Sequence, residues 1–311
     1  MRRVPESPAL GAARPYRLRG PAPLALCLAL VPAVLAWPGL AAAAAANAAV
    51  PGAPASCAKP VYLTFDTGHM GVAPLVAEVL ARHGVKATFF LANERTRSGG
   101  GSLDDEWAAW WRARAEEGHA FGSHTWDHDV WVGDTADGLR LRPTMGAQAG
   151  RARHATAAQY CEALRRPAER FEAITGRPMA AIFRAPGGKT SPALLQAAER
   201  CGFTHVGWTP AGFLGDELSS QAHPNAALLA RALRDIRPGD ILLAHLGIWS
   251  RSDPWAPAVL EPLIEGLKAR GMCFATLREH PVLGAAASRP VPAPARPPGV
   301  AVPAAVTPPS R

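Results

Sequence analysis

The sequence predicts an α/β fold in which about seven parallel strands curl into a barrel. Two observations indicate this fold. Short apolar, β-rich segments alternate with longer segments whose apolar residues recur at helical spacing, and the links between them are short. Hydrophobic residues make up 48% of the 311 residues and charged residues 19%, which provides enough apolar mass for a sizeable core.

The predicted elements follow one another in strand-then-helix order. Residue composition predicts strands at 61–65, 87–91, 120–122, 181–183, 204–208, 241–244 and 273–277. Apolar spacing predicts helices at 72–83, 105–117, 157–175, 192–201, 226–236 and 257–270, several of them followed by glycine. A Gly- and Arg-rich segment, residues 130–154, interrupts this order and is predicted to be an inserted loop, which either covers a binding groove or is simply solvated.

The first part of the chain predicts export. Arginines precede an apolar run at 21–40, which gives way to an alanine-rich stretch ending near residue 49. This order is typical of a secretory signal peptide, so we expect residues 1–49 to be removed and the protein to be periplasmic or secreted, without stable membrane insertion. Because the apolar run is nearly long enough to span a bilayer, an uncleaved membrane anchor is the alternative.

Charge and composition divide the rest of the chain. Residues 50–285 are predicted to form one folded domain, and residues 286–311, rich in Pro and Ala, to form a disordered tail. The formal net charge is +8, but residues 50–285 contain 25 Lys and Arg against 24 Asp and Glu, a net charge of +1. The folded part therefore lacks the basic surface expected of a nucleic-acid-binding protein.

Four cysteines lie outside the predicted signal peptide, and in an exported protein they can form two disulfides. Cys57 precedes the first predicted strand and Cys273 opens the last, so the two would be neighbours if the sheet closes on itself. We therefore expect the pairs Cys57–Cys273 and Cys161–Cys201. Free buried thiols are the alternative.

Polar side chains follow successive predicted strands, at the edge where α/β folds gather their catalytic groups. In chain order these residues are Asp66, His124, Arg184, Trp208 and His245. His128 lies four residues after His124, and on one turn of helix both imidazoles would face a single divalent metal. The pattern indicates a site that combines a carboxylate, histidines and a metal.

These residues lie in motifs that resemble those of the polysaccharide deacetylases of the NodB-homology type, carbohydrate esterase family four. Residues 64–68, Thr-Phe-Asp-Thr-Gly, are similar to the first motif, Thr-Phe-Asp-Asp-Gly, and residues 124–128 match the second, His-Ser/Thr-x-x-His. Residues 184–188 are similar to the third, Arg-x-Pro-x-Gly, and residues 243–245 match the fifth, Leu-x-His. The resemblance covers roughly residues 59–281 and implies a deformed (β/α) barrel.

The resemblance implies a role for each motif residue. Asp66 would be the general base and His245 the general acid, with Arg184 orienting the base. His124 and His128 would bind a divalent metal, for which we expect zinc. The substrate would contact three further residues, namely Trp208, Leu243 and Gly187. Hydrolysis of an acetamide needs a polarised carbonyl, an activated water and a proton for the leaving group, and this set could supply them.

Two departures from the family's motifs affect the predicted site. Thr67 stands where the family has a metal-binding aspartate, and a neutral hydroxyl is a poor zinc ligand. The metal could persist on two histidines and water, His69 could replace the carboxylate, or no metal could bind. The fourth motif lacks its aspartate before Trp208, although Asp216, in the following loop, could hold the tautomer of His245.

The sequence therefore predicts a hydrolase that removes acetyl groups from an N- or O-acetylated polysaccharide, such as a cell-wall glycan or exopolysaccharide. Two alternatives remain open. One is a non-catalytic glycan-binding protein that has lost the metal carboxylate, and the other is a metal-independent C–N hydrolase of a small amide. The expected partner is an acetylated glycan, and the sequence does not indicate an oligomeric state.

Overall fold

The computed structural model of the protein describes residues 57–293. The predicted signal peptide, residues 1–49, and residues 294–311 of the predicted tail lie outside the described residues. Within residues 57–293, no helix is both long and apolar enough to cross a membrane.

The described residues form ten strands, and they include all seven that the sequence predicts. In chain order the strands are β1 (Pro60–Asp66), β2 (Thr88–Leu91), β3 (Ala120–Ser123), β4 (Asp129–Thr135), β5 (Gly138–Pro143), β6 (Arg153–Ala155), β7 (Ile182–Phe183), β8 (Thr204–His205), β9 (Ile241–His245) and β10 (Cys273–Phe274). Several are shorter than predicted. The end of the fifth predicted strand, for example, lies in irregular chain after β8.

The same residues form seven α-helices. They are α1 (Ala73–Arg82), α2 (Ala108–Glu116), α3 (Ala157–Thr175), α4 (Pro192–Arg200), α5 (Asn225–Asp235), α6 (Trp255–Ala269) and α7 (Gly284–Ser288). Local sequence sets the ends of the longest helix, α3. Thr156 and Gln159 form a reciprocal capping box at its start, and Gly176 ends it in the left-handed conformation, with φ of 68°.

The main sheet is parallel and curls toward closure. The strand order is β9–β1–β2–β3–β7–β8, and β10 pairs with the start of β1. Residues 209–214 bridge the gap between β8 and β9, because the Thr209 amide donates to the carbonyl of Ile241 and the Leu214 amide to that of Leu243. Part of the barrel wall is thus irregular chain, which confirms the predicted deformed (β/α) barrel.

Apolar side chains fill both sides of the sheet wall. Alternate residues of the strands, including Tyr62, Phe90 and Ile241, form a cluster inside the barrel, while the other face packs against the helices. Burying both faces explains why the strands read as nearly continuous apolar runs in the sequence.

The segment predicted as an inserted loop forms a three-stranded antiparallel sheet, in the order β4–β5–β6. This prediction was wrong because the segment's alternating pattern was missed. In β5 (Gly138–Pro143), Leu139 and Leu141 are buried while Arg140 and Arg142 are exposed. The small sheet packs against α3 and α4 and begins one residue after His128.

Both predicted disulfides are present, Cys57–Cys273 and Cys161–Cys201, each with a Cα–Cα distance of 5.8 Å. The first joins the chain before β1 to the start of β10, the strand that pairs with the start of β1.

Packed structure continues beyond residue 285, where the sequence suggested that the domain ends. Ala287 in α7 is buried, and the Val291 amide donates to the carbonyl of Met179. Packed structure therefore extends at least to Val291, beyond the predicted end of the domain. Small residues and prolines concealed this contact in the sequence, because they show no helical periodicity.

Candidate active site

The structure brings the predicted catalytic residues together at the carboxyl edge of the curled sheet. Asp66 ends β1 and lies beside His245, the last residue of β9, because the two parallel strands pair in this register. His124 directly follows β3, and Arg184 directly follows β7. Residues separated by 179 positions in the chain thus meet at one end of the barrel, as expected for catalytic groups in this architecture.

The Asp66 carboxylate is buried and lies between two basic side chains. Its Oδ1 accepts a hydrogen bond from Nη1 of Arg184 at 2.8 Å, and its Oδ2 lies 3.4 Å from Nε2 of His124. Burial alone would raise the pKa of Asp66, but the positive charge of Arg184, together with the neighbouring imidazoles of His124 and His245, outweighs burial and lowers it. Asp66 is therefore ionised at neutral pH and can act as a base.

Arg184 is fully buried, and each nitrogen of its guanidinium group donates a hydrogen bond. Besides Asp66, it donates to the carbonyl oxygens of Val206 and Gly207, at 3.3 and 3.2 Å. The guanidinium lies over the ring of Phe90, 4.3 Å from its centroid. These contacts leave Arg184 one orientation, in which it positions the Asp66 carboxylate.

His124 and His128 lie in a loop, so the expectation that they share a helical turn was wrong. Thr125 and His128 have φ angles of 59° and 51°, which no right-handed helix accommodates. The Thr125 hydroxyl accepts a hydrogen bond from the Asp129 amide, and the Trp126 amide donates to the carbonyl of Ala163. This tight loop still brings the two imidazole rings together, with centroids 4.9 Å apart.

The two imidazoles fit a divalent metal. Nδ1 of His124 is 2.9 Å from the carbonyl oxygen of Arg184, and Nδ1 of His128 is 2.8 Å from the hydroxyl of Thr144. In metal sites such contacts orient the ring and leave Nε2 for the ion. Burial, offset in part by Asp66, lowers the pKa of His124 to about 4, so this ring is neutral and able to coordinate.

His245 lies against Asp216, which the loop after β8 supplies. Nδ1 of His245 is 3.1 and 3.2 Å from the two carboxylate oxygens of Asp216, and the His245 amide donates to Oδ2 at 2.7 Å. Burial alone would lower the pKa of His245, but Asp216 outweighs burial and raises it to about 9. His245 is therefore protonated at neutral pH and has a proton to donate.

The three predicted substrate contacts are near this edge of the sheet. Leu243 is buried in β9, two residues before His245 and on the same face of the strand. Gly187 is exposed in the turn after β7, with φ of 64°. Trp208 is partly exposed and covers Gly188, where a Cβ atom would lie 2.5 Å from the indole ring.

His69 is held in a different environment from His124 and His128. Its Nδ1 accepts the amide of Gly71 at 3.0 Å, and its ring packs against Gly247 and, edge to face, against Trp249. Burial lowers its pKa. Nothing in this setting directs the ring toward the other two histidines.

Among residues 57–293, the ligand atoms of His83, Glu261 and Glu265 form the one group of three that lie within 4.8 Å of one another. His83 follows the carboxyl end of α1, so this group lies toward the opposite face of the barrel from Asp66. Glu261 already pairs with Arg82 and His83. This group is therefore separate from the predicted metal ligands.

Glu94 is a site residue that the sequence analysis missed. Its carboxylate accepts hydrogen bonds from the hydroxyl of Thr67, at 2.5 Å, and from the backbone amide of Gly68. Glu94 lies three residues after β2, and a lone glutamate in a polar loop carries no signal by itself. The one available clue was its position beyond the end of a predicted strand, where the other site residues also occur.

Comparisons with known proteins relate the chain to polysaccharide deacetylases. A sequence model described as polysaccharide deacetylase matches residues 54–206. The chain is 29% identical, over 229 residues, to a chitooligosaccharide deacetylase of Azorhizobium caulinodans, and the alignment covers 70% of this chain and 92% of that protein.

Solved structures share the fold. The Bc1960 peptidoglycan N-acetylglucosamine deacetylase has a TM-score of 0.55 at 22% identity, covering 71% of this chain and 87% of that one. BA3943 of Bacillus anthracis, a family-four pseudoenzyme, has a TM-score of 0.52 at 21% identity, covering 71% and 65%. From the motifs and the sequence matches, we conclude that the chain belongs to the polysaccharide deacetylase family of hydrolases, with threonine in place of one motif-one aspartate.

Proposed function

We propose that the protein is an exported hydrolase that removes acetyl groups from an N- or O-acetylated polysaccharide of the cell wall or of an exopolysaccharide. The observation that carries this proposal is the pairing of β1 with β9, which places the ionised carboxylate of Asp66 beside the protonated imidazole of His245. A base and an acid whose environments push their pKa values apart are suited to acyl transfer.

The chain's own residues divide the hydrolysis between them. Asp66, oriented by Arg184, would take a proton from the attacking water as the water oxygen bonds to the acetyl carbon. His245 would donate its proton to the sugar nitrogen or oxygen as the bond from that atom to the acetyl carbon breaks. A divalent metal held by His124 and His128, for which we propose zinc, would polarise the acetyl carbonyl.

The surroundings of the site support a glycan substrate. Leu243 and Trp208 would enclose the acetyl methyl group, and the turn at Gly187 would let a sugar approach the backbone closely. Trp249, with 57% of its surface exposed, offers an aromatic face to a pyranose ring at the same mouth. In this proposal the predicted signal peptide, residues 1–49, directs export, and the domain within residues 57–293 binds the substrate.

Acetate release tests this function. We expect the purified protein to release acetate from N-acetylglucosamine oligomers, from peptidoglycan or from acetylated xylan, measured by an enzyme-coupled acetate assay. Glycan binding by calorimetry without acetate release from any of these would favour the non-catalytic alternative. Turnover confined to a panel of small amides would favour the C–N hydrolase. Either outcome would overturn the proposed function.

Replacing Asp216 by asparagine is expected to move the alkaline limit of activity to lower pH. Because Asp216 raises the pKa of His245, Asp216→Asn should lower this pKa, and His245 should lose its proton at a lower pH. Wild-type kcat/KM should fall as pH rises through about 9, and the variant's alkaline limb should shift toward neutral pH.

The measurement is a kcat/KM profile from about pH 5 to 10. Asp253→Asn serves as the matched control, because Asp253 is an exposed aspartate on a nearby loop. An alkaline limb that stays in place in Asp216→Asn would show that Asp216 does not set the protonation of His245.

A further inference from the structure

We propose that Glu94 supplies the carboxylate that the first motif lacks, as the third protein ligand of the metal held by His124 and His128. The inference rests on the proposed function for the presence of a metal. Thr67 lies in the loop after β1, whereas Glu94 lies in the loop after β2 and outside the family's motifs. The proposal is that Glu94 provides the carboxylate that the family has at position 67.

Strand pairing places Glu94 between the two motifs that form the metal site. The Thr67 amide donates to the carbonyl of Phe90 in β2, and the His124 amide donates to the carbonyl of Leu91. The chain that leaves β2 therefore runs between the Thr67 loop and the His124 loop. Glu94 lies three residues farther on, and its backbone is fixed by hydrogen bonds in both directions with Ser102.

The Glu94 carboxylate lies next to Thr67, the position at which the family has its metal-binding aspartate. Its Oε2 is 2.5 Å from the hydroxyl of Thr67, and it also accepts the amide of Gly68. The same hydroxyl accepts the amide of Ala92, so its proton points to Glu94. A carboxylate on residue 67 and the carboxylate of Glu94 would compete for the same space.

The Glu94 carboxyl group is buried and has no cationic partner among residues 57–293. The residue is 8% exposed, and within residues 57–293 it forms no salt bridge with lysine, arginine or histidine. Its Oε1 accepts no hydrogen bond from these residues. Buried charges are normally paired or coordinate a metal, so this site calls for a cation.

The cation is best placed on the side of His124, because the chain that leaves β2 and carries Glu94 runs between the Thr67 loop and the His124 loop. The ligand atoms of Glu94 and the two imidazoles are not all within 4.8 Å of one another. Ligation therefore requires the Glu94 side chain to turn away from Thr67, which its three rotatable bonds allow.

This assignment changes what is expected of the variant that restores the family's motif. Thr67→Asp alone would place a second carboxylate within contact distance of Glu94 in a buried site, where like charges repel strongly. We therefore expect Thr67→Asp to improve metal binding little. Thr67→Asp combined with Glu94→Gln keeps one carboxylate at the site and should bind metal tightly.

The test measures metal binding in the full-length protein, independently of activity. Zinc affinity is determined by competition with a chromophoric chelator, and coordination by the absorption spectrum of the Co²⁺-loaded protein. Glu94→Gln should weaken zinc binding by at least about tenfold and alter the cobalt spectrum, whereas the double variant should recover most of the affinity. Glu261→Gln, in the separate group on α6, is the matched control and should change neither.

Wild-type affinity and an unchanged cobalt spectrum in Glu94→Gln would overturn the assignment. If that variant does not fold, Thr67→Asp and the double variant decide the question. Tighter binding by the double variant supports the role of Glu94, and equal or weaker binding overturns it. Acetate release with binding that is independent of Glu94 would refute this inference alone. Glu94-dependent binding without acetate release would refute the proposed function alone.

Discussion

Replacing Asp66 by asparagine is expected to lower kcat for acetate release by about 100- to 10,000-fold. Asparagine keeps the shape of the side chain and an oxygen that can accept the hydrogen bond from Arg184, but it cannot take a proton from water. The lowered pKa of Asp66 shows that the ionised form is the one stabilised by the site. The loss should therefore lie in kcat, with a smaller change in KM.

Acetate release at saturating substrate measures this effect. Asp105→Asn is the matched control, because the Asp105 side chain is 95% exposed and pairs with Arg170 instead of with a residue of the site. Far-ultraviolet circular dichroism checks that both variants are folded. A folded Asp66→Asn protein with wild-type kcat would remove Asp66 from the role of base.

Replacing Arg184 by methionine is expected to lower the free energy of unfolding by about 3–5 kcal/mol. Methionine is close to arginine in length but leaves the Asp66 carboxylate buried without its partner. The carbonyls of Val206 and Gly207 also lose their donors. Urea unfolding followed by fluorescence measures the change, and Arg177→Met, at a partly exposed arginine, is the control.

The dependence on pH identifies the cause of this destabilisation. The pKa of Asp66 is lowered in the folded protein, so the pair stabilises the fold above the unfolded pKa of about 3.8 and this contribution is lost as pH falls. The difference between wild type and Arg184→Met should therefore be larger at neutral pH than in acid. A difference that does not change with pH would indicate lost packing instead of a lost ion pair.

A double variant provides a second check on the pair. Arg184→Met leaves the Asp66 charge unpaired in the buried site, and Asp66→Asn removes that charge. The changes in unfolding free energy caused by the two substitutions should therefore be less than additive. Strict additivity of the two unfolding free energies would show that Asp66 and Arg184 act independently.

Local sequence was sufficient for six of the seven described α-helices and for the order of the strands in the main sheet. The predicted helix at 157–175 coincides with α3, because the capping box at Thr156 and the glycine at 176 are signals that operate within one turn of helix. The positions of Asp66 and His245 could also be predicted, since parallel strands place their carboxyl ends at one edge.

Features that depend on contacts distant in sequence were predicted poorly. The His124 loop was expected to be helical because the spacing of two histidines says nothing about the φ angles of Thr125 and His128. The loop instead bonds to α3 through the Trp126 amide and the carbonyl of Ala163. The small sheet of β4, β5 and β6 was missed because its three strands are stable only when they are paired and packed on α3 and α4.

The sequence alone predicted the family, the order of the strands of the main sheet and the candidate catalytic residues, because each of these depends on short motifs or on strand-end position. It also predicted both cysteine pairs. The contact of Asp216 with His245 was predicted as possible and is present in the structure. Only the tertiary structure showed that Glu94 contacts Thr67, across two loops that have no common motif. The physical reason is that a carboxylate lost at one position in the sequence can be provided by a residue of any loop that reaches the same place. Those loops come together only in the folded protein.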